Sequence, residues 1–167
     1  LKRLEGQPAD SKVIERLQAC VKLAQDADAL LLKMLDNEGL IDAEKGCLKS
    51  LRGEALRIHA IAGLFVWLLE LRADLQSGSV KKSQVTACAK ARDEYVRLLE
   101  QFEHCKPQWV TPAALQALCV SLAFMDQLHG ELKTFAGKKK AADIRWSAEL
   151  PPPPPPVVKE EDEDDNC

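Results

Sequence analysis

A clustered basic surface, an apolar run long enough for a bilayer, and every common catalytic signature are missing from this sequence, and each absence removes a class of function. The formal charge is −3 over 167 residues. Lys159 and the six acids from Glu160 to Asp165 account for −5 of it, which leaves the preceding chain near +2. A nearly neutral body without a large basic run argues against nucleic acid as the main partner, because phosphate neutralisation needs clustered Lys and Arg. Lys138, Lys139 and Lys140 are the one tight basic cluster, and they read as cations complementing the dipole at a helix C-terminus. The most apolar stretch, Ala60 to Leu69, is ten residues flanked by Arg57, His59, Glu70 and Arg72, about half of a bilayer span. It reads as a core helix, and no membrane association is expected.

The N-terminus has no apolar run behind its basic residues, so it does not resemble a signal peptide. The chain begins with Leu1, and Leu1 to Gly6 reads like the tail of an earlier helix, as expected for a piece of a longer polypeptide. Function would then lie partly elsewhere.

Catalytic and metal-binding patterns fail one by one. His59, His104 and His129 are far apart, and neither CxxC nor HExxH occurs. There is no glycine-rich phosphate cradle, no GxSxG elbow, and no Glu-x-x-His pair of the kind that builds di-metal sites in bundles. His104 beside Cys105 is the single hint of a thiol nucleophile with a base, but neighbours in a helix point to different sides. Glu70, at the end of the apolar run, is either a buried carboxylate or a solvated helix edge beside Arg72; the solvated edge is the expectation. No cofactor, no metal and no enzymatic activity are expected.

Six cysteines, at 20, 47, 88, 105, 119 and 167, do not form a disulfide framework in this reading. Five fall at apolar positions of expected helices and are taken as buried free thiols, which implies a reducing compartment. An intracellular protein, cytoplasmic or nuclear, follows.

What is present is helical periodicity. Asp10 or Ser11 caps a first helix running to about Asp36, with a seam of Val13, Leu17, Cys20, Ala24, Ala27, Leu31 and Met34. Gly39 stands where a left-handed terminator belongs. The second helix, about Asp42 to Gln76, carries two rows: Leu48, Leu51, Ala55, Ile58, Ala62, Phe65 and Leu69, then Ile61, Leu64, Leu68, Leu71 and Leu75. Apolar on two faces, it needs neighbours on both, and a break near Gly53 is allowed for. Ser77 to Ser79 form a turn, and Ser83 to Cys105 a third helix with Val85, Cys88, Tyr95, Leu99 and Phe102 inside. Thr111 followed by Pro112 is a strong start signal for a fourth, which runs to Ala136 with Leu115, Leu118, Leu122, Met125 and Leu132 inside and Gly137 as its stop. Ala141 to Glu149 suits one short helix carrying Trp146.

Helices of this length, joined by short turns, imply an all-α, antiparallel, up-and-down bundle of four long helices with a disordered proline and acidic C-terminal tail. The divisions are 1–9 (a lead-in or the end of a preceding helix), 10–149 (the bundle) and 150–167 (the tail). The leucine-rich stripes are expected to be hidden against sister helices of the same molecule. A two-hairpin fragment of a longer helical repeat is the alternative.

Two features suit partner binding. Pro151, Pro152, Pro153, Pro154, Pro155 and Pro156 form a polyproline run stiffened before any partner arrives, so an aromatic-lined groove docks it with little ordering cost. With Leu150 ahead and acids after, this segment resembles the leucine variant of the short proline ligands taken by EVH1 domains; profilin, SH3 and WW domains accept similar runs. A rigid spacer is the competing reading. Trp109, between the third and fourth helices, either plugs a bundle end or meets a partner. The functional expectation is a protein interaction or scaffold module whose bundle holds a partner helix in a groove beside the second helix. Its rivals are a structural segment of a larger nuclear or cytoskeletal protein, and an enzyme or cofactor binder with a site among the helices.

Overall fold

The computed structural model describes residues 11–75, 80–105 and 110–136. They form four helices and, within those residues, no strand: α1 (Ser11–Leu35), α2 (Asp42–Leu75), α3 (Lys82–Cys105) and α4 (Pro112–Phe135). Their limits follow from local chemistry. Thr111 caps α4, its hydroxyl accepting the Ala114 amide at 3.2 Å, and Pro112 fills the first helical position, where no amide donor is needed. Both α2 and α3 begin with a third-position side chain reaching back: Glu44 accepts from the Ile41 amide at 3.0 Å, and Gln84 from the Lys81 amide at 2.8 Å. Asp42 and Glu44 also place negative charge where the dipole of α2 is positive.

One detail differs from the sequence reading. The turn after α1 is closed by Asn37, whose side-chain oxygen accepts the Gly39 amide at 3.0 Å, and not by a left-handed Gly39. Helix α2 matches its expected span, and the break allowed for near Gly53 is absent, Gly53 being buried within a continuous helix.

Packing is sequential, α1 on α2, α2 on α3, and α3 on α4. Cross-helix bonds fix the directions. Between α1 and α2 the pairs are Gln18 with Glu70, Gln25 with His59 and Asp28 with Arg52; one number rises as the other falls, so the two run antiparallel. Between α3 and α4, Tyr95 reaches Leu118 and Arg92 reaches Asp126, again antiparallel.

The core belongs to three of the four helices. Leu56, Leu64, Leu68, Leu71 and Leu75 of α2 meet Cys88, Tyr95, Leu98 and Phe102 of α3 and Phe124, Met125, Leu128 and Leu132 of α4. Each such side chain contributes about 1.5–3 kcal/mol on leaving water. No α1 residue joins that cluster, and Ala24 is the one buried residue of α1.

The expectation that all stripes are hidden is therefore corrected. The second row of α2 is buried at Leu64, Leu68, Leu71 and Leu75. In the first row Leu48, Ala55, Ala62 and Leu69 are buried, whereas Leu51 and Ile58 stand 48% and 45% exposed. The α1 seam is equally divided: Ala24 is covered, Leu17, Ala27 and Leu31 are half-buried, and Val13, Cys20 and Met34 are exposed. A single neighbour covers one face of α1, and nothing in the chain described covers the next.

Candidate functional site

The exposed halves of α1 and α2 lie side by side and enclose a groove of about 550 Å³. Cys20, Leu23, Ala27 and Leu30 form one wall and Leu51, Ala55 and Ile58 the other, with Glu54 as the polar member. Leu23 is 69% and Leu30 59% exposed. Both stand next to seam residues (Ala24 and Leu31), rotated by one position, so they define a second stripe: Arg16, Cys20, Leu23, Ala27, Leu30, Met34 at spacings of four and three. Cys47, Leu51, Glu54 and Ile58 repeat the spacing on α2. Leu23, Leu30, Leu51 and Ile58 are neighbours on this surface, and large aliphatic side chains exposed together differ from the scattered ones of an ordinary surface. The alanines at 24, 27 and 55 keep the groove floor low.

What holds the walls at this spacing is a row of polar contacts on the inner side of α1. Arg52 is the main one. Its Nε donates to Asp28 at 2.7 Å and its Nη1 to the Cys105 sulfur at 3.3 Å, so one guanidinium from α2 ties α1 to α3. Both partners of the ion pair are mostly shielded, where a charge-assisted bond is stronger than at an open surface. Gln25 contacts the His59 ring at 3.2 Å, and Gln18 donates to Glu70 at 3.1 Å. Glu54, at the groove edge, is held by Arg57 at 2.7 Å.

A second, smaller cleft of about 100 Å³ lies on the other side of α2, lined by His59, Gly63, Glu94 and Tyr95 among others. Its polar groups are engaged in structure. Burial holds the His59 imidazole below its ordinary value, against the opposing pull of Glu94, with Arg97 lowering it further and Asp28 raising it. Hydrogen bonds from Arg97, at 2.5 and 2.8 Å, hold the Glu94 carboxyl below the usual carboxylate range. Burial raises the Tyr95 phenol, which donates to the Leu118 carbonyl at 3.3 Å. A cleft of this size is well below the roughly 300–1,000 Å³ of ordinary ligand sites.

The remaining candidates fall out as follows. Glu70 is an exposed helix-edge residue, as expected. His104 is exposed and its Nδ1 lies 2.7 Å from the Glu100 carbonyl, while Cys105 is buried against Arg52, so the two form no nucleophile and base pair. Cys88 is sealed in the core, and burial pushes its thiol up to about 11, which keeps it protonated and inert. The expectation of five buried thiols is corrected: Cys88 and Cys105 are buried, but Cys20, Cys47 and Cys119 are exposed, all of them free. Cys20 and Cys47 occupy apolar positions of the open stripes, where helical spacing is satisfied without a covering neighbour. Among the described residues no three His, Cys, Asp or Glu side chains are grouped to hold a metal ion, and no helix is long and apolar enough to cross a membrane. Trp109, Leu150 and Pro151 to Pro156 lie outside the described residues.

Sequence reasoning missed Leu23 and Leu30 because a helix seam read from one chain selects the stripe that best continues, and these two belong to the adjacent one. Their seven-residue separation was the available signal. No protein-family model, no curated protein and no solved structure matches the chain.

Proposed function

We propose that this chain is a non-enzymatic protein interaction module whose α1–α2 groove receives an amphipathic helix. The observation that carries the reading is the groove itself: about 550 Å³, apolar on both walls, with Leu23, Leu30, Leu51 and Ile58 between 45% and 69% exposed. Helix-in-groove recognition uses anchors at i, i+3 or i+4, and i+7, and the stripes beside the groove repeat at those intervals. The segment Leu150 to Pro156 serves as a separate recruiting element for a proline-reading domain of EVH1, profilin, SH3 or WW type, acting independently of the groove. Both elements make the module a scaffold: one contact through packed helices, a second through an extended ligand.

Two measurements test this. A labelled synthetic amphipathic peptide with leucines at i, i+3 and i+7 should bind the full chain saturably and lose binding to Leu23→Glu with Leu30→Glu; equal binding to both proteins removes the groove from the account. Titration of purified EVH1, profilin, SH3 and WW domains should give a complex with the full chain and none after deletion of residues 150–167. If no such domain distinguishes the two, the recruiting role of the tail is lost.

A further inference from the structure

We infer that the occupant of the α1–α2 groove is α1 of a second copy of this chain, paired antiparallel about a two-fold axis at Ala27; this rests on the helix-docking reading above and names its partner. The patch has the property an isologous interface requires, which is complementarity to itself. It carries a ridge and a groove side by side. Leu23 and Leu30 project from α1, 69% and 59% exposed, directly beside the apolar groove that they share with Leu51 and Ile58. Rotating one copy by a half-turn lays the ridge of each into the groove of the other.

Sequence symmetry within α1 selects the register. With Ala27 on the axis, Leu23 meets the partner subunit's Leu31, Leu30 meets the partner subunit's Ala24, and Cys20 meets the partner subunit's Met34. Ala24 and Ala27 at the centre let the two backbones approach closely, while larger side chains fill the space on either side. The stripe ends in opposite charges. Arg16 lies at its N-terminal end, Asp36 and Glu38 just beyond its C-terminal end, all exposed. Antiparallel pairing brings the N-terminal end of each α1, with Arg16, near the turn that carries the partner subunit's Asp36 and the partner subunit's Glu38, whereas parallel pairing sets Arg16 near Arg16 and the acids near each other. These end charges favour the antiparallel direction.

The length suits a helix. A helix of 25 residues extends roughly 37 Å. Lying in the groove, it is in reach of both walls, Leu23 and Leu30 on one and Leu51 and Ile58 on the other. Each copy contributes α1 and α2, so the joint forms a four-helix unit in which Leu23, Leu30, Leu51 and Ile58 are all covered. That covers a face which, among the described residues, α3 and α4 do not line.

The test is sedimentation equilibrium of the full chain across the micromolar range, with the double variant Leu23→Glu, Leu30→Glu beside it. A dimer is expected for the native chain, weakened about 100-fold or more in the variant, with the helical circular dichroism of both unchanged. In a second experiment Ala27→Cys is introduced with Cys20, Cys47, Cys119 and Cys167 replaced by Ser. Mild oxidation should link two chains through position 27, on the axis, and should not do so for Ala29→Cys, which lies on another side of the helix. A native chain that stays monomeric, a dimer indifferent to the double substitution, or equal crosslinking at 27 and 29 overturns the self-pairing. A monomer that still binds the leucine-bearing synthetic peptide through Leu23 and Leu30 retains the groove as a docking site for another protein's helix. A monomer that binds no such peptide ends both readings.

Discussion

The two ends of α2 live in different surroundings. From Leu56 to Leu75 it runs through a closed core, where Leu56, Phe102, Phe124, Met125, Leu128 and Leu132 are at most 2% exposed. From Asp42 to Ala55 it lies beside α1, to which Arg52 is bonded through Asp28, and Leu51 faces outward, as does Ile58 at the junction of the halves. The same helix carries apolar residues at helical spacing in both halves, more densely from Ala60 to Leu69, and is sealed in one and open in the other. Apolar periodicity declares which residues can be buried; the number of neighbours within reach decides which are.

The contrast is sharpest in stability. Phe124→Ala, which empties a site enclosed by three helices, should cost about 3–5 kcal/mol in urea or guanidinium unfolding. A loss under about 1 kcal/mol would mean that the α2–α3–α4 side is not the stabilising half. Arg52→Ala should cost about 2 kcal/mol, since it strands Asp28 and the Cys105 contact between helices in a mostly shielded place. A double-mutant cycle with Asp28→Asn would isolate the pair, and zero coupling would show α1 to be held by shape alone.

Acid should weaken the junction of α1, α2 and α3 in particular. His59 in the unfolded chain takes up a proton near pH 6.5, whereas burial keeps the folded ring neutral to lower pH. Between those two values the unfolded state binds more protons, so this contribution is complete above about pH 6.5 and is lost as the pH falls through the folded value. Urea midpoints measured from neutral to mildly acidic pH should decline in the native chain and decline less in His59→Gln. Identical profiles would remove His59 as the source.

Smaller effects complete the series. Thr111→Ala should cost about 1 kcal/mol by loss of the α4 cap, readable as a shifted denaturant midpoint. Leu23→Ala, on the open stripe, should change unfolding of the dilute chain by no more than about 0.5 kcal/mol. A large loss there in monomeric protein would mean the groove is covered from within the chain, and the comparison between the two halves would fail.

Helix limits and caps were legible because they depend on a few adjacent residues. Thr111 and Pro112 announce α4 regardless of what it packs against, and spacing picked out Cys88, Tyr95, Phe102, Leu118, Met125 and Leu132 of the inner faces but passed over Leu98, Phe124 and Leu128. The open groove was not legible, because Leu51 differs from Leu48, and Leu30 from Leu31, by rotation toward or away from a neighbour set by tertiary packing. Cys20 and Cys47 misled for the same reason: an apolar position in a periodic pattern carries no statement about what covers it. Polar contacts at a distance, such as Arg52 with Asp28 and Cys105, have no local signature at all. The sequence reading expected a helix-binding groove beside the second helix but named none of the walls, which depend on that rotation.

The grip of Arg52 on two other helices makes α1 a poor candidate for trimming. A shortened version starting at Asp42 would retain every residue of the closed core, yet it would leave a guanidinium with half its partners gone and would bare Ala55 and Leu48, which are now covered. Such a fragment should be sticky and hard to handle out of proportion to the 31 residues removed between Ser11 and Ile41. The first helix is peripheral in position and integral in consequence.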